Sequence, residues 1–376
     1  MRSNNFGREG DHLQPIPELT VGPSVGGHYD FSQLPPAVLA QGDTTNRPSL
    51  KGIDHEPQPA GVGLRLMSIV AENLLSHPCI VLRRQCQVNC KAHKFHLLPF
   101  TLLPVIGKLQ QRQGLITLWK GAPSVFIVRA LSLAVESGLS ELAALPRELR
   151  WQSSLKEMVK HVALKGAVVA LLTPFYCASL VEVVQCDMAS EKPGVVDCLR
   201  EGLWRVARWG GRLLPVWKLV GPTVIHGVLH YVLSSLVQSL VLWCIRARPW
   251  NGARVRAKEL CFPSGRDTYF PELTASFAGS LVADVVVYPL ETVLHRLYLQ
   301  GTRTIIDNLD TGCSVAPVIS CYVGPVDCFR SIVSQEGAAG LYKGFGALIL
   351  QYSLHCLLLK LTRVAWQEFG QSLLSE

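Results

Sequence analysis

Long apolar stretches alternate with polar segments along this chain, and their lengths predict helices. The apolar runs cover Gly63 to Leu82, Pro123 to Leu145, Met158 to Val184, Leu213 to Ile245, Leu273 to Leu299 and Phe345 to Leu361. A helix needs roughly 20 apolar residues to cross a bilayer, so each run is a candidate span, and the longer ones tilt or extend beyond the hydrocarbon. The expected fold is an all-α membrane protein with six transmembrane helices in three pairs. Residues 1–59 differ: Pro15, Pro17, Pro23, Pro35, Pro36, Pro48, Pro57 and Pro59 interrupt them and no apolar period runs through them. That composition predicts a disordered arm, with a partner-binding motif around Tyr29 to Pro36 as the functional alternative.

The pairs repeat. Pro78, Pro174 and Pro289 each fall near the end of the odd-numbered span. Proline removes one helical hydrogen bond and clashes with the preceding turn, a defect tolerated in membranes where neighbours satisfy the freed carbonyl. Pro289 is followed by Glu291, an acid inside an apolar run, and a later segment gives Glu336 Gly337, four residues, then Tyr342 Lys343 Gly344. The first unit repeats that spacing as Gln113 Gly114 and Trp119 Lys120 Gly121; the second keeps only an acid and glycine, Glu201 Gly202, before Leu203 Trp204 Arg205. The organisation is therefore the arm 1–59 and three pseudo-repeats, 60–145, 146–246 and 247–376, the last opening with a basic loop.

Composition sharpens this. Hydrophobic residues are 48% and charged residues 17% of the 376, too apolar for an ordinary soluble domain. The net charge of +8 is carried by residues flanking apolar runs, which suits an anionic membrane surface better than nucleic acid. Twelve cysteines include no CxxC pair, and Cys79, Cys177, Cys244 and Cys356 lie in apolar runs, so reduced thiols are expected. Met1 to Gly10 lacks a hydrophobic signal core, and Glu9 and Asp11 break any Arg-rich presequence, so a targeting signal is expected to be internal.

Three repeats, each with a proline in the odd helix and two of them with a loop closing in an aromatic, a base and a glycine, resemble the mitochondrial carrier family over roughly Gly61 to Phe369. The family motif is proline, any residue, an acid, two residues and a base, followed later by an acid and glycine, four residues, an aromatic, a base and a glycine. The third repeat has Leu294 at the first basic position; the first has Ile80 and Gln113 at the two acidic ones; the second has Tyr176 and Ser179 after Pro174. The resemblance implies a ring of three salt bridges between repeats. Only the combination Arg83 with Glu291 survives here, so one such bridge is expected and a three-bridge gate is not.

On the even helices, Tyr352 Ser353 Leu354 His355 Cys356 and Tyr231 Val232 Leu233 Ser234 Ser235 lack the charges of the family's opposite gate. The last third resembles a divergent branch of that family. This implies a multi-pass protein of the mitochondrial outer membrane acting in mitochondrial shape, fusion and fission and in lipid traffic at contacts. Its partners would be membrane lipids with fusion, fission and cristae-organising proteins, and it would not perform ordinary antiport. The alternative is a solute transporter with a reduced salt-bridge gate.

Interior polar residues are the remaining candidates. His226 and His230 have the four-residue spacing of a metal pair, but Gly227 Val228 Leu229 between them omit the glutamate of an HExxH site. Histidines lining a cavity or bonding across helices is the reading here, with no metal and no cofactor. Arg129 and Glu136 lie seven apart on the second helix, nearly on one face. They suit either a substrate contact or a structural ion pair in a water-lined cavity, and Gln238, Gln351, His355 and Lys360 are weaker candidates of the same kind. The loop Arg246 to Asp267 carries Arg246, Arg248, Arg254, Arg256, Lys258 and Arg266 and is expected to meet anionic headgroups or to be an ordinary solvated flank. No GxSxG, GxxxxGK[ST] or GxGxxG pattern occurs, so the sequence gives no support for an enzyme.

Overall fold

The computed structural model describes residues 59–146, 155–187, 194, 196–207, 214–247 and 265–372. Most of the arm 1–59 and of the loop Arg246 to Asp267 lies outside them. Nine helices of four or more turns or of surface length run through the described residues: α1 Pro59–Val88, α2 Leu103–Gln113, α3 Ala122–Leu142, α4 Leu155–Val184, α5 Asp197–Ala207, α6 Val216–Ala247, α7 Gly265–Leu299, α8 Pro325–Glu336 and α9 Phe345–Ser372. A hairpin, β1 Ile305–Asn308 and β2 Ser314–Pro317, follows α7.

Four segments are long and apolar enough to cross a membrane: Leu155–Val184, Val216–Ile245, Glu272–Leu299 and Ala338–Leu361. α1 and α3 are not among these four. Pro78, Pro174 and Pro289 lie inside α1, α4 and α7. These three helices pack pairwise against one another, with α3 on α4, α6 between α4 and α7, and α9 on α1. The cysteines among the described residues are free thiols.

Sequence punctuation explains the short helices. α2 and α8 each have proline in the first turn and a glycine just past the end, Gly114 at φ 82° and Gly337 at φ 76°, the asymmetry expected of helix termini. The Gln-Gly and Glu-Gly pairs of the repeat motif are thus the ends of these helices. Glu201 and Gly202 instead lie inside α5, where a Cβ on Gly202 would meet the Phe175 ring at 2.4 Å; the register drawn for them with the other two pairs does not hold.

The polar segment from Arg83 to Gly121, between the first two apolar runs, begins as the last turns of α1. There Arg83, Arg84, Gln85 and Gln87 are buried, and α2 lies within the remainder. α9 likewise runs on past Leu361 to Ser372.

Candidate functional site

The C-terminal ends of α1, α4 and α7 come together, and the hairpin after α7 covers them. Val88, Val184, Leu297, Leu299, Ile306 and Val318 share one buried cluster, so the first strand of the hairpin is wedged into the end of the bundle. Ile305 and Ile306 suit a strand because β-branched side chains fit a half-buried pleat. At the turn, Asn308 Oδ1 accepts from the Asp310 amide at 3.1 Å and Gly312 takes a left-handed φ of 67°. On its inner side the hairpin joins α4, with the Cys186 amide donating to the Ile305 carbonyl at 2.8 Å.

Asp307 points from this strand into the first repeat. Its carboxylate accepts from Lys120 Nζ at 2.7 Å, Gln113 Nε2 at 2.9 Å and Gln85 Nε2 at 3.0 Å. Burial pushes the carboxyl up, but the Lys120 charge and hydrogen bonds from Cys186, Lys120 and Gln113 overcome it, and the group sits below the ordinary carboxylate value. Gln113 stands where the repeat motif expects an acid, which leaves the buried Lys120 in need of a counter-charge. The hairpin supplies it. Asp310 fastens the tip, accepting from the backbone amides of His93 at 2.7 Å and Lys94 at 3.0 Å, while Arg112 Nη1 donates to the Cys313 carbonyl at 3.0 Å.

In the third repeat the motif closes on itself. Glu336 receives both Arg296 and Lys343, the latter at 2.6 Å. Tyr342 stacks on Tyr288 with centroids 5.7 Å apart, and the Tyr288 hydroxyl donates to the Lys343 carbonyl at 2.8 Å. Trp119, at the matching place in the first repeat, donates to the Leu74 carbonyl at 2.8 Å.

Gly121 and Gly344 let these loops approach the neighbouring helix. A Cβ on Gly121 would lie 2.8 Å from the Val183 backbone, and one on Gly344 would lie 3.0 Å from the Arg83 carbonyl oxygen. The first loop thus presses on α4 and the third on α1.

Above the hairpin, Arg83 is fully buried. Its Nη2 stands 3.2 Å from Glu291 Oε1 and its Nη1 stands 3.8 Å from Asp284 Oδ2. Asp284 is a second carboxylate that repeat arithmetic does not single out. It accepts from Tyr352 at 2.8 Å and bonds His230 Nε2 at 2.9 Å, which ties α1, α6, α7 and α9 into one knot. Glu291 also accepts from Gln87 Nε2 at 3.0 Å, and Gln87 Oε1 meets His295 Nδ1 at 2.7 Å.

His226 and His355 are buried on the same interior, with the two α6 imidazoles 6.4 Å apart. Among the described residues no three His, Cys, Asp or Glu side chains are grouped to hold a metal ion. Glu136 pairs with Lys165 of α4 at 2.6 Å, so the paired cation comes from the facing helix. Arg129 is half-buried and Lys360 exposed, while Gln238 and Gln351 are buried.

A family model described as mitochondrial carrier protein matches residues 265–363, which holds α7 to α9 and the fullest copy of the motif. A frog relative from Xenopus tropicalis, solute carrier family 25 member 46, is 45% identical over 350 residues, covering 91% of this chain and 82% of the relative. The chain belongs to the mitochondrial carrier family. Relatives from Gallus gallus and Homo sapiens, both named mitochondrial outer membrane protein SLC25A46, are 48% and 46% identical, each over 83% of this chain and 78% and 76% of their own length. This carrier-family chain is accordingly a protein of the mitochondrial outer membrane, in a family of membrane carriers and not of enzymes.

Proposed function

We propose that the chain is a six-span, three-repeat carrier bundle that serves as an adaptor in mitochondrial dynamics, in morphology, the balance of fusion and fission, and lipid traffic at contacts, without ordinary solute antiport. The observation that carries the reading is the hairpin seal. Alternating access needs the ends of α1, α4 and α7 to part. Here Ile306 is packed among them, and Asp307 bonds across to Lys120, Gln113 and Gln85. Arg83 makes Arg–carboxylate contacts between these helices, with Glu291 and Asp284 of α7.

Two features support the six-span architecture. α3, at 21 residues, is about 32 Å long at 1.5 Å per residue, enough to cross a hydrocarbon core of about 30 Å. The second feature is a shared pattern on the surface helices, read in steps of about 100° per residue. On α8 the buried side holds Cys328 and Ile332, the next sector exposes Val326, Phe329 and Val333, and the third exposes Asp327, Arg330 and Ser334. α5 follows with Cys198, Gly202 and Arg205 buried, then Leu203 and Val206, then Asp197, Arg200 and Glu201. α2 follows with Val105 and Leu109 buried, then exposed Leu103 and half-buried Ile106 with Gln110 between them, then exposed Lys108 and Gln111. Core, apolar and polar sectors succeed one another in the same rotational sense on all three, as expected for pseudo-symmetric helices lying at one membrane interface.

Reconstituted protein tests the reading: a panel of metabolites should show no saturable exchange, whereas crosslinking in intact mitochondria should capture fusion, fission or cristae-organising proteins. Robust exchange of one metabolite sinks it. The second reading, a transporter with a reduced gate, draws on the interior: buried Gln351 has no hydrogen-bond partner for either amide atom among the described residues, which leaves it free to bind a polar solute.

A further inference from the structure

We propose that the interior knot is a proton-binding site, in which one proton held between His230 of α6 and Asp284 of α7 completes the charge balance around Arg83. Such a site is independent of whether the chain carries a solute. Arg83 Nη2 lies 3.2 Å from Glu291 and Nη1 lies 3.8 Å from Asp284, so one guanidinium faces two carboxylates and sits closer to the first. Asp284 is met in addition by His230 Nε2 at 2.9 Å and by the Tyr352 hydroxyl at 2.8 Å. The His230 and Asp284 side chains are each 1% exposed, where an uncompensated charge is costly.

An ionised carboxylate can only accept hydrogen bonds, so His230 Nε2 is the donor. An imidazole that already donates from this nitrogen becomes a full counter-ion by taking a second proton at Nδ1. Two cations then meet two carboxylates. The phenols of Tyr288 and Tyr352, beside Arg83 and Asp284, and the thiol of Cys79 on α1, beside Arg83, can only add negative charge by titrating. Among the nearby imidazoles, His226 stacks 6.4 Å from His230 on α6, His355 meets Tyr352 at 5.8 Å on α9, and His295 reaches Glu291 through Gln87. His230 is the imidazole in hydrogen-bond contact with Asp284.

Other cations are committed elsewhere. Lys165 of α4 pairs with Glu136, and Arg296 and Lys343 share Glu336. Arg296 stands twelve residues beyond Asp284 on α7, about 18 Å along the axis at 1.5 Å per residue. The surplus positive charge of that group is therefore remote from Asp284. A proton on His230 clamps α6 to α7 and, through the carboxylate that also holds Tyr352, to α9. Without it Asp284 keeps its hydrogen bonds, but a net negative charge stays buried and α6 loosens.

The test uses the full chain in detergent micelles with isotope-labelled histidine, whose nitrogen chemical shifts distinguish imidazolium from neutral imidazole. At neutral pH one imidazolium signal should be missing from His230→Gln and kept in His226→Gln and His355→Gln. Glu291→Gln removes one carboxylate charge and leaves His230 and Asp284 in place, and it should turn that signal into a neutral imidazole; this change identifies the signal even where His230→Gln does not fold. Unfolding equilibria in mixed micelles give a linked readout. A proton bound by the folded chain stabilises it at low pH and is lost as pH rises. Above about pH 6.5, where an unfolded imidazole is neutral, the folded-to-unfolded ratio of the parent should fall up to about tenfold more per pH unit than that of His230→Gln or Glu291→Gln. The glutamine amide at 230 can still donate to Asp284 but cannot take a charge, so a purely structural role for His230 would leave the slopes parallel.

A neutral imidazole at His230 in the unmodified chain, an imidazolium that Glu291→Gln leaves unchanged, or parallel pH slopes in the parent and both variants overturns the proposal.

Discussion

Replacing Asp307 with Ala should release the hairpin. The carboxylate and Lys120 Nζ are 2.7 Å apart, each side chain 3% exposed, so the substitution leaves an ammonium buried without a counter-ion and strips Gln113 and Gln85 of their shared acceptor. Breaking one side of a buried pair costs about 3–5 kcal/mol. If the hairpin opens locally, that corresponds to roughly a hundred- to several-thousand-fold faster amide exchange. Exchange mass spectrometry of the reconstituted protein should find this over 303–318 and at Cys186, just past the end of α4, whose amide bonds Ile305.

The double variant Asp307→Ala/Lys120→Met should recover much of the loss, because it removes the orphaned charge. Because the native carboxyl lies below its ordinary value, its contribution is present at neutral pH and is lost only as pH falls through that depressed value. Exchange within about tenfold of the parent in Asp307→Ala would refute the assignment of the hairpin as a charge-locked seal.

Other expectations follow from neighbouring contacts. Arg83→Met should lower thermal stability in detergent by about 3–5 kcal/mol, and more than Glu291→Gln, since Asp284 still faces Arg83 at 3.8 Å in the latter; the reverse order would contradict the described knot. Gly121→Ala combines φ 68° with a Cβ 2.8 Å from the Val183 backbone, so a loss of about 1–3 kcal/mol should appear in the same melting assay. His96, buried beside Thr101, is pushed below its ordinary 6.5 by burial. Its folded pKa is the lower one, so stability of the 93–101 loop should fall as pH drops below about 6.5, read as exchange corrected for intrinsic rates, and His96→Gln should flatten that dependence.

How much of this was legible in the sequence varies by element. The helices follow from apolar run length, and the ends of α2 and α8 from their prolines and glycines. The proximity of Arg83 and Glu291 follows from aligning repeats, because pseudo-symmetry converts sequence offsets into neighbours. Asp284 has no such offset: it reaches Arg83 as the chain's own addition and reads in sequence as one acid in a valine run. The pairing of Glu136 with Lys165 was hidden because helix periodicity relates residues on one helix and says nothing about the facing one. Asp307 escaped because a short hairpin between helices is set by tertiary packing. Its one sequence signal is indirect, the absence of any acid between Glu72 and Glu136, which obliges buried cations there to find anions elsewhere.

That division of charge also sets an order of assembly. Chain synthesis delivers Arg83 and Lys120 long before Asp284, Glu291 and Asp307 exist. Until the third repeat arrives, the first cannot bury its cations at the positions they occupy in the finished bundle. The first repeat is therefore not an autonomous folding unit, and closure of the bundle waits for its last third. A chain truncated before α7 would keep the apolar helices α3, α4 and α6 yet lack Asp284, Glu291 and Asp307, the counter-ions of Arg83 and Lys120, and should be handled by the cell as an unfinished membrane protein.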